Sequence, residues 1–193
     1  PMFLCSPPPQ TLGPDRAASE LALYTYTFWP AERRTVHVRF MDGDPALWKR
    51  VAGVITGEGG WNRICGLQFV FDQSPTAEVH VTFRRGGSWS YMGSDCAVMR
   101  QEKPTMQLGW LNVDTSEKEL RRVTLHEFGH ALGFLHEHQS PNVAIKWNLP
   151  VVYEYYKRVS GWDEKMTYAQ VISSVAASAA QAGPFDSESI MCY

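Results

Sequence analysis

The chain has few cysteines for its length, no long apolar run and no surplus of either charge, and each shortage excludes something. Four cysteines in 193 residues, at positions 5, 65, 96 and 192, are too few for a disulfide scaffold. They allow three complete pairings, and spacing does not choose among these or a set of plain thiols. Their even number leans toward an oxidising compartment, so a secreted, extracellular location is expected. No apolar run approaches the ~18–20 residues that a membrane-crossing helix needs, so no membrane span is expected. Eighteen Lys and Arg against twenty Asp and Glu leave a formal charge of −2. A nucleic-acid binder would show a basic excess or stripe, so no such partner is expected. There is no internal repeat, and no charged and apolar leader pattern follows Pro1. What is there suits one packed domain: 44 % hydrophobic and 20 % charged residues are globular values, in a chain long enough to bury a core.

Pro7, Pro8 and Pro9 stiffen an opening that cannot be helical. Residues 1–14 are therefore read as an N-terminal extension on a single domain over 15–193. Asp15 to Leu23 is predicted as a short helix capped by Asp15. From residue 35 the pattern alternates: Val36, Val38 and Phe40 interleave with Thr35, His37 and Arg39, as in a strand with one buried face. Asp44-Pro45 opens a helix, with Asp44 at the cap and Pro45 in the first turn. Leu47, Val51, Val54 and Ile55 give that helix an apolar side, and Gly57 to Gly60 end it. Further strands are predicted at Leu67–Phe71, Val79–Phe83, Trp89–Met92 and Met106–Leu111. A second strong helix starts at Ser116, with Glu119 completing a capping-box pattern. Beyond residue 137 the chain reads as short helices, Val151 to Val159 and Glu164 to Val171, and loops.

The second strong helix carries the chemistry. It holds His126-Glu127-Phe128-Gly129-His130, followed by Gly133 and His136. Four residues of α-helix turn about 400°, so His126 and His130 leave one face, a turn apart. Two imidazole nitrogens so placed can share one zinc ion at about 2.0–2.1 Å. Glu127 can lean over the open position of the metal without ligating it. On a continuing helix His136 would lie about 600° round and roughly 9 Å along, too far to share the ion. Gly133 resolves this, because glycine takes positive φ readily and can end the helix. Three histidines then leave a fourth position for water, the layout of a catalytic zinc site.

This pattern resembles the long zinc motif of the metzincin metallopeptidases. Glu137 after the third histidine, and Ser189-Ile190-Met191-Cys192-Tyr193 downstream, are similar to the astacin family. The stretches Gly87 to Gly93 and His136 to Pro141 resemble microbial astacin-like proteins, and the resemblance runs from about Trp29 to Tyr193. It implies an α+β, metzincin or zincin-like fold. A mixed sheet and two long helices would lie above a zinc cleft in an upper lobe reaching to about residue 136. A small, mostly helical or irregular lobe, 137–193, would lie below. It also implies that Met191 forms an apolar floor under the metal. Tyr193 would act beside the zinc, first as a ligand and then as a donor to the oxyanion. Glu137 would either pair with a buried amino terminus or stay solvated. Cys192 departs from the family pattern, which commonly has His there, and reads as a buried thiol, half of a disulfide or a metal-reactive group.

The expected activity is zinc-dependent endopeptidase: a metal-activated water, Glu127 as general base, and a protein or peptide substrate lying extended along an edge strand near Ser88 to Val98. The chain is expected to be a monomer. Cys5 lies upstream of the domain, and a thiolate is a strong zinc ligand. It is therefore a candidate inhibitory ligand of the kind matrix metalloproteinases use as a cysteine switch, against a disulfide or a free thiol. With Cys5 on the metal, Cys65–Cys96 is the expected pair among the rest. Two other functions fit less well. A thermolysin-like peptidase would take a distant glutamate as third ligand, which His136 and Gly133 argue against. A non-catalytic, zinc-stabilised binding module of the same fold has no need of Glu127.

Overall fold

The computed structural model describes residues 27–99, 101–143, 145–178, 180, 182 and 184–192. The extension over 1–14, the helix expected at Asp15 to Leu23, Cys5 and Tyr193 lie outside the described residues.

Strand β1 (Thr35–Phe40) shows the alternation of its sequence. Val36, Val38 and Phe40 are buried, and Thr35, His37 and Arg39 are not. Helix α1 (Pro45–Thr56) begins as its capping residues dictate, with Asp44 Oδ1 accepting the Ala46 N–H at 2.7 Å. It buries Leu47, Val51 and Ile55. One more turn of helix follows that the sequence pattern did not reveal, α2 (Trp61–Ile64). Strands β2 (Gln68–Phe71), β3 (Val79–Thr82) and β5 (Met106–Leu108) lie inside the predicted segments, while β4 (Ser88–Ser90) starts one residue before the predicted Trp89–Met92 and ends two residues short of it.

These strands form one sheet in the order β2-β1-β3-β5-β4. The first four run parallel, and β4 runs antiparallel to β5 at the edge, so the sheet is mixed. Its helix-facing side joins α1 and the long helix α3 (Glu117–Leu132) in a core of Val36, Val38, Val51, Ile55, Phe69, Leu120 and Phe128, among others. On β3 the alternate residues are buried too. His80 reaches the carbonyls of Lys103 and Ala77, each at 2.7 Å, which draws the segment after residue 100 over the second face.

Ser116 caps α3, its Oγ accepting the Glu119 N–H at 3.4 Å. The reciprocal half of the capping box does not form. Glu119 instead takes Arg122 Nε and the Trp110 indole N–H. A charge-assisted contact one turn along outcompetes a neutral backbone donor. The Arg122 guanidinium thereby holds the Glu119 carboxyl below the usual range.

Beyond residue 136 the chain makes a 3-10 turn (Glu137–Gln139), α4 (Leu149–Ser160), α5 (Glu164–Thr167) and a π-helical turn (Tyr168–Ile172). These match the short helices expected there. The Cys65–Cys96 pairing is corrected: Cys65, Cys96 and Cys192 are free thiols. Cys65 closes α2, which packs beside the edge strand β2, whereas Cys96 lies fully buried in a 3-10 turn packed on α3 and β3.

Candidate metal centre

Helix α3 brings His126, Glu127 and His130 into the buried interior, where they are 4 %, 1 % and 4 % exposed. The helix then stops as its sequence requires. Gly133 takes φ +104°, and its N–H and that of Phe134 donate back to His130 and Gly129 carbonyls. This left-handed residue would strain any side chain. It turns the chain so that His136 comes back over the helix. The ligating nitrogens of His126, His130 and His136 all lie within 4.8 Å of one another.

The second nitrogen of each ring decides what the cluster can do. His126 Nδ1 lies 2.8 Å from the Ile190 carbonyl, His130 Nδ1 lies 2.8 Å from the Phe134 carbonyl, and His136 Nδ1 lies 3.3 Å from Gln139 Oε1. Each partner can only accept, so each Nδ1 carries the proton and donates it. Every Nε2 then presents a lone pair. His130 Nε2 and His136 Nε2 face each other at 3.2 Å. Two lone pairs at that separation repel, and a cation between them converts the repulsion into ligation. Burial reinforces this by disfavouring the charged imidazolium. It lowers His126, takes His130 down to about 3, and holds His136 well below the ordinary range. Neutral imidazole is the form that binds metal. The donor set therefore fits a three-histidine metal site.

The C-terminal turn supports this cluster from below. Ile190 supplies the carbonyl for His126, and Met191 O accepts the Glu137 N–H at 3.0 Å. Met191 is buried against Gly129, where an added Cβ would meet its sulfur at 2.4 Å. So the glycine inside the motif lets the methionine turn seat against the helix. The Trp61 indole donates to Leu125 O and the Trp29 indole to Ala131 O, each at 2.8 Å, which pins both ends of the segment that carries His126 and His130.

Glu137 is half-buried and accepts the Asp186 N–H through Oε1 at 3.3 Å. Cys192 is a free thiol that donates to Asp186 O at 3.7 Å and is not in the histidine cluster. Residue spacing had passed over two neighbours of His136. His138 is buried and stacks on His136 with ring centroids 5.2 Å apart, and burial carries it down to about 4. Gln139 bonds His136 directly. Both sit in the His136 to Pro141 stretch, but their partners lie far along the chain.

Fold and histidine cluster together define a metallopeptidase fold of the metzincin-like kind. One solved structure of myroilysin matches with a TM-score of 0.81 and 33 % identity, over 87 % of this chain and 81 % of that one. A second structure of myroilysin matches with a TM-score of 0.66 and 31 % identity, over 99 % of this chain and 77 % of that one. The chain belongs to the family of myroilysin. No protein-family model and no curated protein matches it.

Proposed function

We propose that the chain is a zinc endopeptidase of the astacin type. The observation that carries this reading is three imidazoles that each bring a nitrogen within 4.8 Å of the others, with Glu127 buried next to His126. His126, His130 and His136 would hold the ion. The chemistry zinc would supply there is polarisation of a peptide carbonyl and a more acidic water. Glu127 takes the proton from the attacking water as its oxygen adds to the carbonyl carbon. It then passes that proton to the amine as the C–N bond breaks. Tyr193 donates its phenolic O–H to the oxyanion. Met191 keeps an apolar floor under the site. The substrate lies extended as an added strand on β4, one of the two edge strands of the sheet, where Trp89 packs edge to face against Tyr91 just past the strand's end.

Cys5 belongs to the same proposal. As a thiolate it would take the open position and hold the chain latent. Cys5→Ser should then raise peptidase activity, and peptide mapping that finds Cys5 in a disulfide would sink the switch.

The test of the main reading is cleavage of a mixed peptide library by zinc-loaded Cys5→Ser chain, with Glu127→Ala added in the same background. Glu127→Ala should keep one zinc per chain and lose cleavage by at least ~10²-fold. Undiminished cleavage by that variant excludes Glu127 as the base. A chain that holds zinc and cleaves nothing in either form is instead a zinc-stabilised binding module.

A further inference from the structure

We propose that Gln139 is a positioning residue. By accepting the Nδ1–H of His136, it fixes the third imidazole as the tautomer whose Nε2 faces the metal. The inference rests on His136 being a ligand, as proposed above.

The Gln139 amide has one orientation that suits its neighbours. Its Nε2 lies 3.0 Å from Ala169 O and 3.3 Å from Ser173 O. Both are carbonyl acceptors, so that end must be the NH₂. The other end is then Oε1, an acceptor only, and it lies 3.3 Å from His136 Nδ1. The amide cannot flip without setting oxygen against two carbonyls. His136 is therefore the ring that donates through Nδ1.

The carbonyls come from an unusual piece of backbone. Over Tyr168–Ile172 the helix takes π spacing, closed by Ser173 N–H to Tyr168 O at 2.8 Å. The wider turn leaves Ala169 O with side-chain donors, Gln139 Nε2 and Ser173 Oγ. Such turns recur at functional sites because they redirect backbone groups. Val175 N–H then donates to Gln139 O at 2.8 Å, and His138 bonds the backbone of Gln170. The segment 168–175 grips the 3-10 turn that follows His136, and Gln139 is the part of that turn that reads the ligand.

The other two ligands differ. His126 and His130 are oriented by backbone carbonyls, which no substitution removes. The third depends on one side chain. Second-shell partners of this kind change metal affinity by about 10–100-fold.

The experiment separates orientation from docking with two variants. Gln139→Leu removes the acceptor and the amide donors together. Gln139→Glu keeps an acceptor for His136 and loses the donors to Ala169 and Ser173. Zinc affinity would be measured by chelator competition, thermal stability by melting, and the His136 ring tautomer by ¹⁵N NMR of the metal-free protein. Gln139→Leu should weaken zinc by about tenfold or more, while Gln139→Glu stays within about threefold of the parent. Both variants should melt lower. The parent's metal-free His136 should carry its proton on Nδ1, and Gln139→Leu should mix the tautomers. Unchanged zinc affinity in Gln139→Leu overturns the proposal. So does equal loss in both variants, which would mean Gln139 only docks the turn. Should Gln139→Leu not fold, the parent's tautomer decides alone, and a proton on Nε2 refutes the assignment. A parent that takes up no zinc refutes the metal centre but leaves the Gln139 contact to be judged on that tautomer.

Discussion

Gly129 sits between the two helical histidines of the cluster, and replacing it by alanine sets two known effects against each other. In a helix interior alanine is favoured over glycine by about 1 kcal/mol. Here the new methyl would lie 2.4 Å from Met191 Sδ and 3.2 Å from its Cε. Carbon contacts are comfortable at about 3.5–4.0 Å, so the overlap exceeds ~1 Å and Met191 must move. Overpacking of that kind costs about 1–3 kcal/mol. Gly129→Ala should therefore destabilise the parent chain by about 0–2 kcal/mol. Truncating Met191 to alanine costs about 2–5 kcal/mol by itself. It also removes the clashing sulfur, while Trp61 Cζ2, at 3.4 Å, remains a tolerable contact in both backgrounds. In the Met191→Ala background, Gly129→Ala should thus stabilise by up to about 1 kcal/mol. The double variant should be more stable than additivity predicts by about 1–3 kcal/mol. Urea unfolding of the four metal-free proteins, followed by helical circular dichroism, measures this coupling. If Gly129→Ala costs the same in both backgrounds, the methionine turn does not seat on Gly129.

Acid should unfold the metal-free chain early. His130, His136 and His138 are held neutral by burial, with His138 at about 4 and His130 at about 3 against 6.5 for a free imidazole. The unfolded state then binds protons that the native state refuses. The stability these histidines carry is complete above pH ~6.5 and drains away as pH falls toward about 4 and then 3. Urea midpoints at pH 7.5, 6 and 5 should decline, and a flat series contradicts neutral burial. Cys96, pushed up to about 12 by burial, should resist a thiol reagent in the native chain and react with it only after unfolding. Native labelling at Cys96 as fast as at Cys65 would place it nearer the surface.

Much of the fold was legible because its signals are local. The Val36-Val38-Phe40 alternation, the Asp44-Pro45 helix start and the stop at Gly133 each lie within a few residues of what they determine. The histidine cluster was legible for the same reason, since helical spacing and one glycine nearly define it. What escaped the sequence depends on competition or distance. Glu119 could have served the capping box, and Arg122 with Trp110 won it instead. Helix α2 is a single turn between glycines and a strand, too short to show a period. The His80 contacts that cover the second face of β3 involve carbonyls, which leave no mark in the residue pattern. The partners of Gln139 lie thirty and more residues away.

The three ring protons also show how the site ties the fold together. His130 is oriented by a carbonyl of its own helix end, four residues on. His136 is oriented by Gln139, itself held by residues 169 and 173. His126 is oriented from the turn at residue 190, sixty-four residues away. One imidazole is thus set by local backbone alone, and the other two require the C-terminal segments to be docked. The helix and its end can offer two nitrogens a turn apart and fix the tautomer of His130, but not that of His126, and not the third imidazole. A cation gathered by all three imidazoles would stabilise helix, return turn and C-terminal turn as one unit, because only the assembled chain presents all three lone pairs to it.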